Sequence, residues 1–156
     1  MSDASQRAPD ARSGEDGAAD EWGESYLLDS DVAIEHLRGR EWAAELFHRI
    51  ARAGGSVSYS PVTAAEIYHG MRAAEERVTA QLFAHLPCLA IDHEVGKQAG
   101  DYLRRYRASH GLALGDALMA ATARVHDLVL LTRNRRHYPM PEVSVAELPV
   151  IDMYDP

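Results

Sequence analysis

Tyr26-Leu27-Leu28-Asp29-Ser30-Asp31 is the stretch that decides the fold. Three apolar residues run directly into Asp-Ser-Asp. An apolar run this short, with capping residues behind it, reads as a buried strand that ends at Asp29. Ser30 or Asp31 then caps a helix through about residue 38, and Gly39 stops it.

The same alternation continues outward from there. A second helix carries Trp42, Leu46 and Ile50 on one stripe, with Gly54-Gly55 behind it. Residues 56–60 (Ser-Val-Ser-Tyr-Ser) alternate as a strand does. Thr63 opens a helix to about residue 74, and another covers 78–85. Residues 89–91 read as a short strand. A longer helix over 92–110 has Val95, Ala99, Leu103 and Tyr106 on its apolar side. Residues 114–126 form a small-residue helix, 128–131 a strand, 133–137 a basic turn and 143–148 an edge strand. Short apolar strands alternating with helices imply an α/β fold. It is expected to be a single domain with a short central parallel sheet flanked by helices on both faces.

Residues 1–24 differ in kind. They are rich in Ala, Asp, Ser, Gly and Glu and have no periodic apolar pattern, so they are expected to be a disordered acidic extension before a domain spanning 25–156. Trp22 is the one residue of that segment suited to docking on another surface. The segment holds seven acidic and two basic side chains and so carries −5 of the net charge of −8. With Asp29, Asp31, Glu66 and Asp116 also set aside, the domain is at +1. The charge balance therefore neither supports nor excludes a nucleic-acid substrate. A single cysteine, Cys88, rules out an intramolecular disulfide and suits a reducing compartment. It is expected to be a small buried apolar residue. No apolar run approaches a membrane span, and the acidic N-terminus lacks signal-peptide character. A cytoplasmic protein is expected.

In sheets of this kind ligands bind at the carboxyl ends of the strands. Asp29 closes the first strand, and Asp31 points the same way if the extended backbone persists. Glu66 is placed in the first turn of the helix after the second strand, Asp116 in the first turn of the helix leading to the last, and Asn134 just after that last strand. Carboxylates brought together repel one another unless a cation offsets them. Oxygen ligands with room for water suit Mg²⁺ or Mn²⁺. Eight histidines without zinc-like spacing, and one cysteine, do not suit zinc. Carboxylate-held metal suits phosphodiester hydrolysis. Each residue also has an ordinary structural role open to it. Asp29-Ser30-Asp31 makes a helix cap. Thr63-Ala64-Ala65-Glu66 makes a capping box. Asp116 complements a helix dipole, and Asn134 suits a turn.

Four runs together resemble the PIN-domain family. They are Leu27-Leu28-Asp29-Ser30-Asp31-Val32, the stretch from Ser60 through Glu66 to Gly70, Asp116-Ala117-Leu118-Met119-Ala120-Ala121-Thr122-Ala123, and Leu130-Leu131-Thr132-Arg133-Asn134-Arg135-Arg136-His137-Tyr138. The likeness is to VapC-type toxins of bacterial toxin–antitoxin pairs. It implies a Mg²⁺- or Mn²⁺-dependent endoribonuclease that is held inactive by a cognate antitoxin and commonly forms a homodimer. It further implies Asp29, Glu66 and Asp116 as catalytic, metal-binding acids, with Asp31, Thr132 and Asn134 as accessory positions. Arg133, Arg135 and Arg136 stand beside that site and suit the RNA backbone; a solvated turn is their other reading. Trp42, Leu46, Phe47 and Ile50 suit core or dimer packing, with antitoxin contact implied for one or two. His137 suits an ordinary surface histidine.

Two departures from the family pattern stand out. Asp31 occupies a position that is often Asn, and neutral Asn134 fills the fourth acidic position. Two other functions remain open on this reading. One is a PIN fold that binds RNA or a partner without cutting. The other is a haloacid-dehalogenase-like phosphatase, whose first motif is also a strand ending in Asp-x-Asp.

Overall fold

The computed structural model describes residues 21–149. Strand β1 (Ser25–Leu28) lies at the centre of a parallel sheet ordered β2-β1-β3, with β2 at Ser56–Ser58 and β3 at Val129–Leu131. Tyr26 pairs with Val57 on one side and with Val129 on the other. Helices α1 (Ser30–Leu37), α2 (Glu41–Arg52), α3 (Pro61–Gly70), α4 (Glu76–His85), α5 (His93–His110) and α6 (Leu114–Val125) surround it. Single turns of 3₁₀ helix lie at Ala73–Glu75 and Arg135–His137. None of the described helices is long and apolar enough to cross a membrane.

The side-chain period of two divides the core between the sheet's faces. Leu27 and Leu130 pack with Val95, Ala99 and Tyr102 of α5 and the small residues of α6. Tyr26, Leu28 and Leu131 pack with Val32, Leu46, Ile50, Ile67 and Phe83 from the first four helices. Leu27, Leu28, Leu130 and Leu131 are fully buried. Each contributes about 1.5–3 kcal/mol by leaving water. Trp22 joins the second cluster with its ring 6.0 Å from that of Tyr26, so it docks on this chain's own core. Gly55 is required by close approach, because a Cβ there would run into the carbonyls of Trp22 and Glu24. The strand begins at Ser25, one residue before the expected Tyr26. Residues 1–20 of the acidic extension lie outside the described residues, as do 150–156.

Several boundaries differ from expectation. Asp29, rather than Ser30 or Asp31, caps α1; its carboxylate accepts the Ser30 N–H at 2.8 Å. Extended backbone therefore stops at Asp29, and Asp31 is already helical. Helix α3 begins at Pro61, whose fixed φ suits a first helical position, and ends at Gly70 rather than near 74. Glu66 is thus in the second turn, and the proposed capping box with Thr63 does not form. The Thr63 hydroxyl donates to the Leu28 carbonyl at 2.8 Å instead. The strand expected at 89–91 reduces to one bridge between Tyr59 and Cys88, and that at 143–148 to one between Leu130 and Val145. Cys88 is exposed, not buried.

Candidate active site

The ends of β1 and β3 are joined where the acids gather. The Asp29 N–H donates to the Leu131 carbonyl at 3.0 Å, extending the sheet ladder by one residue. Asp29 is buried at 8% exposure with both carboxylate oxygens engaged. Oδ1 receives the Ser30 N–H, and Oδ2 receives the Tyr138 hydroxyl at 2.8 Å. Burial first, and then the negative charge of Asp29, pushes the Tyr138 phenol far above its ordinary range, so it remains a protonated donor.

Ser30 links two of the acids. Its N–H faces Asp29, and its hydroxyl donates to Glu66 Oε2 across 36 positions of sequence. The other Glu66 oxygen lies over Gly115, where a Cβ would stand 3.5 Å from it. Asp116 follows Gly115 in the first turn of α6. Desolvation chiefly raises the Asp116 pKa; among the charges around it, His137 opposes the rise while Asp29 and Glu66 add to it. Ser30 and Gly115 thus bring Glu66 beside Asp29 and Asp116 at one edge of the sheet. Among the described residues, no three His, Cys, Asp or Glu side chains stand close enough to hold an ion between them as they are.

Asp31 has structural work of its own. Oδ1 accepts the Val32 N–H, and Oδ2 accepts the Arg133 N–H at 2.7 Å and the Thr132 hydroxyl at 3.4 Å. Its pKa is raised, by burial first and then by Asp29. Thr132 in turn accepts the Asn134 N–H at 3.1 Å, and the Asn134 side chain is exposed. Of the three arginines, Arg133 lies 3.7 Å from Glu35 and above the Trp42 ring. Arg135 donates to the Val145 carbonyl and pairs with Glu147. Arg136 is exposed. His137 is on the surface, as expected, but its Nδ1 is 3.5 Å from Asp116. Leu46 and Ile50 are core, whereas Trp42 and Phe47 are half-buried.

Residues 26–143 match the PIN-domain family. The chain belongs to that family. It is 45% identical over 119 residues to ribonuclease VapC10 of Mycobacterium tuberculosis, covering 73% of this chain and 86% of that protein. It is 36% identical over 115 residues to ribonuclease VapC19 of the same organism, covering 73% and 92%. The fold of VapBC2 from Rickettsia felis, solved bound to a promoter DNA fragment, superimposes with a TM-score of 0.67 at 17% identity, covering 78% of this chain and 97% of that one. PIN membership removes the haloacid-dehalogenase alternative.

Two side chains beside these acids carry contacts that the sequence did not announce: Ser30, expected only as a helix cap, and Tyr138. A serine between two aspartates at a strand end is a weak signal. A tyrosine after Arg135-Arg136-His137 is no stronger a signal, because only its burial in the fold shows that its phenol needs a partner.

Proposed function

We propose that the chain is a ribonuclease of the VapC type, the toxin of a toxin–antitoxin pair, acting in the cytoplasm. The observation that carries this reading is the link from Asp29 through Ser30 to Glu66, whose other oxygen lies over Gly115, next to Asp116, at the carboxyl edge of the sheet. Their oxygen-only chemistry fits a hard divalent cation, Mg²⁺ or Mn²⁺. Mg²⁺ takes only one or two carboxylates and keeps several waters, so a tight three-ligand cage is not required. When bound, the cation supplies charge compensation at the attacked phosphate and a more acidic water. Asp29, Glu66 and Asp116 would hold it, in part through its retained waters. Ser30 orients Glu66 through its hydroxyl and Asp29 through its N–H. Asp31 braces the loop after β3 from beneath.

The reaction is hydrolysis. A water oxygen bonds to phosphorus, the P–O bond to one ribose breaks, and the departing oxygen takes up a proton. RNA phosphates meet the basic turn of Arg133, Arg135 and Arg136, chiefly at Arg136, and the protein works as a homodimer restrained by its antitoxin. The ribonuclease relatives and the VapBC structures support this reading.

The test is incubation of purified protein with RNA in Mg²⁺, in Mn²⁺ and in chelator, beside the Asp116→Asn variant. Cleavage is expected with either metal, and neither in chelator nor with the variant. Binding of RNA without cleavage in any metal would leave a non-cutting PIN module as the better description.

A further inference from the structure

Tyr138 follows the Arg135–His137 turn and is 6% exposed. Its hydroxyl donates to Asp29 Oδ2 across 109 positions of sequence, while the Ser30 N–H donates to Oδ1. Two donors on opposite oxygens fix the plane of a carboxylate, and each oxygen retains a lone pair. Burial alone does not explain the contact. The hydroxyl of Tyr102 is also buried and has no partner among the described residues. A phenylalanine at 138 would supply the same ring to the core cluster of which Tyr138 is a member, so packing does not call for the oxygen.

We propose that Tyr138 is a positioning residue for Asp29, its hydroxyl holding the carboxylate so that the unengaged lone pairs are presented to the divalent cation. This rests on the nuclease reading above. Hydrogen-bond partners behind a metal ligand govern its orientation, and their loss typically weakens metal binding roughly 10–100-fold.

The test is isothermal titration of the full chain with Mn²⁺ in the absence of RNA, for the wild type, Tyr138→Phe, Tyr138→Leu and Asp116→Asn. Tyr138→Phe is expected to bind Mn²⁺ roughly tenfold more weakly. The Mn²⁺ midpoint for RNA cleavage should rise by the same factor, while the rate at saturating Mn²⁺ changes little. Tyr138→Leu should match Tyr138→Phe, since both lack the hydroxyl. Wild-type affinity in Tyr138→Phe with weakening only in Tyr138→Leu would make Tyr138 a packing residue and overturn the proposal. A wild type that binds Mn²⁺ no better than Asp116→Asn would overturn the metal-site reading itself. Normal wild-type binding with an unaltered Tyr138→Phe overturns the positioning role alone.

Discussion

Asp31 accepts the backbone N–H of Arg133 at 2.7 Å, fastening the first turn of α1 to the loop that leaves β3, 102 residues away in sequence. The same carboxylate receives Thr132, so one side chain organises the turn that carries the arginines.

That arrangement predicts a split between two substitutions at Asp31. Asp31→Ala removes the acceptor of the exposed Arg133 N–H and should destabilise by about 0.5–1.5 kcal/mol, the net contribution of a typical hydrogen bond. Asp31→Asn keeps one acceptor oxygen but sets its NH2 against the N–H of Val32 or of Arg133, while shedding a charge that burial and Asp29 disfavour, so it should fall between Asp31→Ala and the wild type in stability. Urea titration of the three proteins is the check. Equal stability of all three would mean that the contact contributes nothing.

Asp116 provides a pH-dependent prediction for metal-free protein. Its folded pKa is raised, chiefly by desolvation, with Asp29 and Glu66 adding to the rise. The associated stability is fully present below the ordinary carboxylate range and is lost as pH rises through the folded value. In chelator at pH 7, Asp116→Asn should therefore melt no lower than the wild type, with the two converging in acid. Adding Mg²⁺ should reverse the order by stabilising the wild type alone, by about 2.7 kcal/mol when Mg²⁺ stands at 100 times its Kd. A variant that still gains with Mg²⁺ would remove Asp116 from the site.

His36, in the last turn of α1, gives a second pH effect. Its ring lies 4.7 Å from that of Phe47, and its Nδ1 is buried without a partner among the described residues. Desolvation, and then the charge of His48, lowers its pKa below the ordinary 6.5. A lowered histidine contributes stability that is present above 6.5 and lost as pH falls through the folded value. His36→Phe should flatten the fall in melting temperature between pH 7.5 and 5, as read by calorimetry at several pH values. An unchanged acid limb would place the sensitivity elsewhere.

Much of this architecture was legible because it is written locally. Leu27-Leu28 followed by Asp29 marks a strand end wherever it occurs, and Gly39 and Gly111 take the left-handed conformation that helix stops need. Pro61 also announced its helix, although reading Thr63 as the start moved Glu66 back by one turn. What was not legible depends on distant partners. Residues 89–91 and 143–148 have strand composition, but each meets the sheet edge at a single bridge. The contact of Tyr138 with Asp29, and that of Ser30 with Glu66, join segments that only the folded chain brings together.

The basic turn separates into arginines with different duties. Arg133 is committed to Glu35 and Trp42, and Arg135 to Val145 and Glu147. Arg136 makes no hydrogen bond or ion pair with another of the described residues, so its guanidinium has the least to give up in meeting a phosphate. Arg136→Ala should therefore weaken binding of single-stranded RNA uniformly across sequences and reduce the slope of log affinity against log salt by about 0.7, the value of one phosphate contact. Arg133→Ala should instead lower the melting temperature by loosening Trp42, with a smaller change in the salt slope. Fluorescence-anisotropy titrations at several salt concentrations, in chelator to prevent cleavage, separate the two. A slope unaltered in Arg136→Ala would take Arg136 out of the RNA path.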